Sequence, residues 1–463
     1  MAILMSTVEI ASALVWLERT YPDLCQRIEL PEPTHEKRTC HAIRIAKGNS
    51  TQRPAVLIIA GVHAREWGGP DIVVNFVVDL LKAYRAGKGL RYGAKSFEAG
   101  EIRWILETLS LVVFPCVNPD GVEFSHKRSA YWRKNRNPKS FDGNPASVGV
   151  DINRNYDFLW DFRRYFHPEA LKNSSLASDD PKLETFHGLS PFSEPETRNV
   201  RWLMDALPGL SLFLDLHCYS GSVFHSWGDD QDQSSDPEKN FRNPAYDGLR
   251  GVKDDGYCEY LSPPDKAICQ SVAHDVASAM RAVRQRPYKA EPGYNLYATS
   301  GTSDDYAFSR HLCLPGRSKV FAYTLEFNFA SDAPDDEPFI IAGDPAILDS
   351  TMRDVIPGLM ALCLAASLTG CLEPQRLACA EQPTRRFGVD PATGQVSYVT
   401  GGGARHAPAL PDPHTNPTAR DLAKLLFAFD VACTIKSQEG EAVRTSILQQ
   451  IEKIAAAARK QHV

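Results

Sequence analysis

Two kinds of hydrophobic pattern alternate along the chain: short unbroken apolar runs, and longer stretches in which apolar positions recur every three or four residues. Ser6 followed by Glu9 is a capping-box signature, and Ile10, Leu14 and Leu17 then share one helical face, so the chain is predicted to open with a helix. Ala55 to Ala60 is a continuous apolar run ending at Gly61 and reads as a buried strand. Beyond Gly68-Gly69-Pro70, the residues Ile72, Val73, Phe76, Val77, Leu80, Leu81 and Tyr84 line one side of a helix. The grammar recurs, with strands at Leu109 to Phe114, Leu210 to Leu216 and Val320 to Leu325. Further helices are predicted after Ser193, with Glu196 as its capping partner, from Ala267 to Val283, and from Pro345 toward Leu368. This alternation predicts an α/β fold with a central mixed, largely parallel sheet flanked by helices.

Two stretches break the pattern. Asp229 to Pro264 is rich in Asp, Ser, Pro and Asn and reads as a surface insertion within a main domain of residues 1–372. Residues 373–417 are rich in Pro and Gly and read as a linker, followed over 418–463 by a helical C-terminal extension with Leu422, Leu425, Leu426 and Phe429 on one face. Val355 to Leu372 carries no charge over about 18 residues, the lower limit for a membrane span. Pro357, Gly358 and Gly370 inside it, and the lack of a basic flank, favour a buried core helix.

Composition narrows the function classes. The 463 residues, 43% of them hydrophobic and 23% charged, suffice for a large core. A formal charge of -6 gives no electrostatic drive toward nucleic acid or an anionic membrane. Eleven cysteines without a C-x-x-C pair indicate neither a disulfide scaffold nor a zinc ribbon. The N-terminal stretch lacks a basic segment and contains Glu9 and Glu18, so no signal peptide is read and a cytoplasmic location is expected, with unconventional export left open.

Three of the predicted strands end in residues able to do chemistry: His63 and Glu66 after the first, His217 after the strand from Leu210, and Glu326 after the strand from Val320. In open α/β sheets ligands bind beyond the carboxyl ends of the strands, so these side chains are candidates for one site. Two imidazoles and a carboxylate are a ligand set for catalytic zinc, with a fourth position left for water. Spacing alone does not separate that set from chance, since thirteen histidines make a third partner easy to find. Arg133 and Arg136 suit a carboxylate or an oxyanion, and equally a solvated surface. Glu326 alone reads as well as a solvated or salt-bridged strand end, and Tyr297 alone as a core residue.

Taken together, HAREW at 63–67, NPDG at 118–121, WRK at 132–134, VDINRN at 150–155, FHG at 186–188, LHCY at 216–219, YATSGTSDDY at 297–306 and TLEF at 324–327 resemble the zinc metallocarboxypeptidases of the carboxypeptidase A and B type. The resemblance runs from about Ser6 to Gly370. It implies one zinc ion held by His63, Glu66 and His217, with Glu326 as general base and then acid and Arg133 stabilising the oxyanion. It further implies that Asn153 and Arg154 grip the α-carboxylate of a peptide or protein C-terminus, that Tyr297 closes over it, and that Arg65 and Tyr219 line the cleft beyond the scissile bond. Asp304 matches the floor of a B-type pocket, which implies preference for C-terminal Lys or Arg.

Some features depart from that family. Cys218 stands where a serine is usual, no cysteine lies between Cys116 and Cys218 to make the disulfide of secreted relatives, and an amino-terminal pro-segment is not seen. Two rival expectations remain: a related peptidase for cell-wall peptides or glutamyl chains, and a catalytically silent peptide-binding module. Asp304 disfavours acidic substrates by like charge, and loss of a ligand, Arg133 or Glu326 would mark the silent module.

Overall fold

Four wholly or mostly buried apolar strands make the centre of the molecule, whose computed structural model describes residues 4–48, 53–329 and 345–369 and three short strands beyond them. The main sheet is built from β1 (Cys25–Glu29), β2 (His41–Ile45), β3 (Ala55–Ala60), β4 (Ser110–Phe114), β5 (Leu210–Cys218), β6 (Ser222–His225), β7 (Lys289–Pro292) and β8 (Phe321–Phe327). Their order is β1-β2-β4-β3-β5-β8-β6-β7. The central strands β4, β3, β5 and β8 run parallel, whereas β1 and β2 add antiparallel pairings on one side and β6 pairs antiparallel with β8 on the other. The sheet is therefore mixed with a parallel centre, as the alternation predicts. Every residue of β3, β4 and β5 is buried, which is what apolar runs without polar alternation require.

The main helices are α1 (Thr7–Thr20), α2 (Gly69–Ala86), α3 (Ala99–Thr108), α4 (Pro119–Lys127), α5 (Pro195–Ala206), α6 (Pro263–Arg284), α7 (Ser303–Cys313) and α8 (Pro345–Thr369). At α1 the Ser6–Glu9 capping box forms and Ile10, Leu14 and Leu17 are buried. Val355, Ile356, Leu359, Met360, Leu362 and Cys363 of α8 are buried as well, and no helix among the described residues is long and apolar enough to cross a membrane. The cysteines among the described residues are free thiols.

Three expectations are corrected. Ser193 does not cap α5: its hydroxyl donates to Glu194 Oε1 at 2.7 Å, the helix starts at Pro195, and Glu196 is fully buried, its carboxyl pushed up to about 8 by burial and by the charge of Glu194. Asp229 to Pro264 is not merely a surface excursion. Arg250, Asp229 and Glu259 are completely buried, with Arg250 Nε 3.2 Å from Glu259 Oε2 and 3.5 Å from Asp229 Oδ2. Polar composition misleads there because the segment builds a small core from ion pairs. Finally, the chain divides after Ala366, and in the second unit Arg386–Val389, Val396–Thr400 and Gly403–His406 pair as antiparallel strands where a linker was expected. The VSYVT run has the β-branched and aromatic content that favours such pairing. The helical extension expected over 418–463 lies outside the described residues.

Candidate metal centre and substrate cleft

The backbone places three side chains around one point. After β3 the chain turns sharply at Gly61, whose φ is +67° and where a Cβ would stand 3.2–3.3 Å from Pro70 and Cys116. Glu66 N then donates to His63 O, a single tight turn that presents both side chains on one side. His217 lies near the end of β5, beside β3, and in register with Glu326 of β8. The expected convergence at the carboxyl ends of β3, β5 and β8 is thus a property of the strand order.

His63 Nδ1 stands 2.6 Å from Glu66 Oε1 and 3.1 Å from His217 Nδ1, while His217 Nδ1 is 2.9 Å from Glu66 Oε2. The three donors lie within 4.8 Å of one another and are buried. Two imidazole nitrogens facing each other at this distance can share at most one proton, whereas a divalent cation between them satisfies both nitrogens and the carboxylate together. Each ring is backed by an aspartate: His63 Nε2 is 3.1 Å from Asp151 Oδ1, and His217 Nε2 is 3.0 Å from Asp215 Oδ2. Such outer carboxylates fix the ring tautomer and orientation. The donor set fits zinc.

Asp151 does more than back His63. Its Oδ1 accepts from Asn153 N at 3.0 Å, and its Oδ2 from Arg133 Nε at 3.0 Å. Arg133 is drawn toward the centre from the other side too, because Arg133 O accepts from Ala64 N. Its Nη1 is 3.9 Å from Glu66 Oε1. Nearby, Asn135 donates to Glu194 and Glu196, which anchors the segment carrying Arg133 onto α5. Arg136 is not in the cleft: its guanidinium lies 3.8 Å from the centre of the Phe124 ring.

Apart from Arg136, the residues singled out from sequence line one cleft of about 260 Å³: His63, Arg65, Glu66, Arg133, Asn153, Arg154, His217, Tyr219, Tyr297, Asp304 and Glu326. Arg65 donates to Glu184 at 2.7 Å at the rim. Glu326 Oε2 is buried without a hydrogen-bond partner among the described residues, and burial, reinforced by Glu66, pushes its carboxyl up to about 8 against the pull of His217 and Arg133. Asn153 Oδ1 accepts from Ser303 N at 2.9 Å.

Two charges in this cleft have no counter-charge of their own. Arg154 is 2% exposed and donates only to the carbonyls of Asn153 and Ser175, with no carboxylate within 4.0 Å among the described residues. Asp304 is 8% exposed, accepting from Thr324 Oγ1 at 2.9 Å and Asp305 N at 3.0 Å, with no Lys or Arg paired to it among the described residues. Gly228 lines the same cleft and is packed too closely for a side chain, since a Cβ there would stand 2.7 Å from Thr299 Oγ1 and 2.9 Å from Asp305 Oδ2. Sequence reasoning passed over Asp151, Asp215 and Ser303. The signal for Asp215 was its place two residues before His217 on a strand, hence on the same face.

Comparison with known proteins agrees with this geometry. The zinc carboxypeptidase family profile matches residues 10–341. Carboxypeptidase A4 of Mus musculus is 26% identical over 313 residues, 66% of this chain and 58% of that protein. Carboxypeptidase B of Astacus astacus is 27% identical over 322 residues, 69% of this chain and 84% of that protein. This chain therefore matches little more than half of the mouse protein's length. In fold, it resembles the crystal structure of carboxypeptidase A from Helicoverpa armigera with a TM-score of 0.57 at 21% identity, over 78% of this chain and 73% of that one. Since the family profile takes in most of its length, the chain belongs to the zinc carboxypeptidase family.

Proposed function

We propose that the chain is a zinc-dependent metallocarboxypeptidase that removes single residues from peptide C-termini and prefers Lys and Arg. The observation that carries this reading is the pair of uncompensated opposite charges, Arg154 and Asp304, lining the same cleft as the His63, Glu66 and His217 donors. A C-terminal basic residue supplies both missing partners, a carboxylate for Arg154 and a cation for Asp304. Leaving either charge buried and unpaired is costly, so a ligand that pairs both is favoured over one that pairs only the carboxylate.

Zinc is the family's cofactor; held by His63, Glu66 and His217, it supplies a Lewis acid that brings the pKa of bound water toward about 7. Arg154 and the Nδ2 of Asn153 hold the terminal carboxylate, and Tyr297, its ring 6.0 Å from the Arg154 guanidinium, covers it. Arg65 and Tyr219 line the cleft on the far side of the scissile bond. Glu326 takes a proton from the attacking water, whose oxygen bonds to the carbonyl carbon. Arg133, preorganised by Asp151, donates to the oxygen that gains charge. As the C–N bond breaks, Glu326 returns the proton to the leaving nitrogen, giving a shortened peptide and a free amino acid.

Rates of release from peptides differing only in a C-terminal Arg, Lys, Leu or Glu test this reading. Arg and Lys should be released fastest, and replacing Asp304 by Asn should cut the Arg-over-Leu preference by about tenfold or more, equivalent to ~1.4 kcal/mol. Faster release of Leu or Glu by the parent protein contradicts the assigned specificity, and absence of any release contradicts the enzyme.

A further inference from the structure

Asp215 is buried to 0% exposure on β5 and has no Lys or Arg within 4.0 Å among the described residues. Among the described residues, the side chain of positive character against it is the ring of His217, whose Nε2 stands 3.0 Å from Asp215 Oδ2, at ion-pair distance but outside hydrogen-bond geometry. The same Oδ2 accepts from Ser303 Oγ at 2.6 Å, and Oδ1 has no hydrogen-bond partner among the described residues. Ser303 is the first residue of α7 and donates its backbone N–H to Asn153 Oδ1 at 2.9 Å. A chain of contacts thus runs from the metal-facing ring of His217 through Asp215 and Ser303 to the side chain expected to hold the substrate carboxylate.

A carboxylate buried with one hydroxyl donor and no cation is expensive unless nearby positive charge offsets it. His217 presents Nδ1 toward Glu66 and His63 and Nε2 toward Asp215, so an ion at the donor set would transmit its charge through the ring to that acid. We infer that Asp215 is a positioning residue for the metal: its charge, 3.0 Å away, favours the His217 proton on Nε2, leaves the Nδ1 lone pair for the ion, and through Ser303 ties ring orientation to the Asn153 clamp. With Asp151 behind His63, both histidine ligands are then held by aspartates, and both aspartates reach Asn153, one through its backbone N–H and the other through Ser303.

The inference depends on zinc binding at His63, Glu66 and His217, and zinc stoichiometry of the parent full-length chain checks that premise separately. Given one zinc per chain, competition with a chromophoric chelator should show that Asp215→Asn weakens zinc affinity by about 10–100-fold. Ser303→Ala removes the hydrogen bond that aims Asp215 and should weaken zinc affinity in the same direction by a smaller factor. A cobalt-substituted Asp215→Asn protein should also show a shifted visible spectrum. The metal-free Asp215→Asn protein should melt no lower than metal-free parent, because a poorly offset buried charge has been removed. Unchanged zinc affinity in both variants, or a fall in metal-free melting temperature without loss of affinity, would overturn the assignment.

Discussion

Replacing Glu326 by Gln is expected to lower kcat/KM on a peptide ending in Arg by about two to four orders of magnitude while one zinc per chain stays bound. Gln keeps the shape of Glu but can neither take the proton of water nor return it to the leaving nitrogen. The metal is retained because Glu326 is not one of the three converging donors. The loss is not a folding defect, and the structure says why: Glu326 Oε2 is buried without a partner and its carboxyl is pushed up to about 8, chiefly by burial. A neutral amide relieves that strain, so the variant should melt at or above the parent's temperature, the pattern expected where a site holds a group at a cost to stability. Turnover within tenfold of the parent, with zinc retained, would remove Glu326 from the mechanism. Glu66→Gln should behave differently and lose zinc along with activity.

The second large effect is structural. Arg250→Met, which keeps much of the apolar stem, is expected to destabilise the fold by about 3–5 kcal/mol, because Asp229 and Glu259 remain buried without their cation. Arg250 also donates to Tyr257 Oη at 3.0 Å and to the carbonyls of Tyr246 and Asn240, so its loss frees the 229–264 segment at several points. The effect should depend on pH. Burial, with Glu259 and Asp305 close by, already holds the Asp229 carboxyl well above its usual value, and removing Arg250 raises it further. A carboxyl whose folded pKa exceeds its unfolded pKa binds its proton more tightly when folded, so stability falls as pH rises above about 4. Urea midpoints should therefore show the smallest deficit near pH 5 and a widening one toward pH 8. A deficit below about 1 kcal/mol throughout would mean that the ion cluster is not a core.

The parts of this molecule that were legible in sequence share a physical reason. β3, β4, β5 and β8 are buried on both faces and so carry unbroken apolar runs, and His63, Glu66, His217 and Glu326 follow directly from where those runs end. β1, β2, β6 and β7 were not read because CQRIE, HAIRI, SVFH and KAEP are short, and three of them mix polar with apolar positions without clean alternation. Their membership is decided by neighbouring strands, not by local pattern. The same limit applies at the site. Residues proposed to hold zinc or substrate could be named from motifs, whereas Asp151, Asp215 and Ser303 contact other side chains of the cleft and have meaning only once distances are known. The buried Arg250 cluster shows the opposite failure, since polar composition was taken for exposure.

The two solitary charges of the cleft also bear on how a catalytic cycle ends. Under the proposed specificity, free arginine is the fragment each cut would leave, and it carries both the anionic and the cationic groups that would pair with Arg154 and Asp304. On the proposed specificity, its departure is expected to set the pace at high peptide concentration. Added free arginine should throttle the enzyme competitively where the same amount of free leucine does little, and rising salt should ease that brake. A socket shaped to welcome such fuel would be slow to clear its ash.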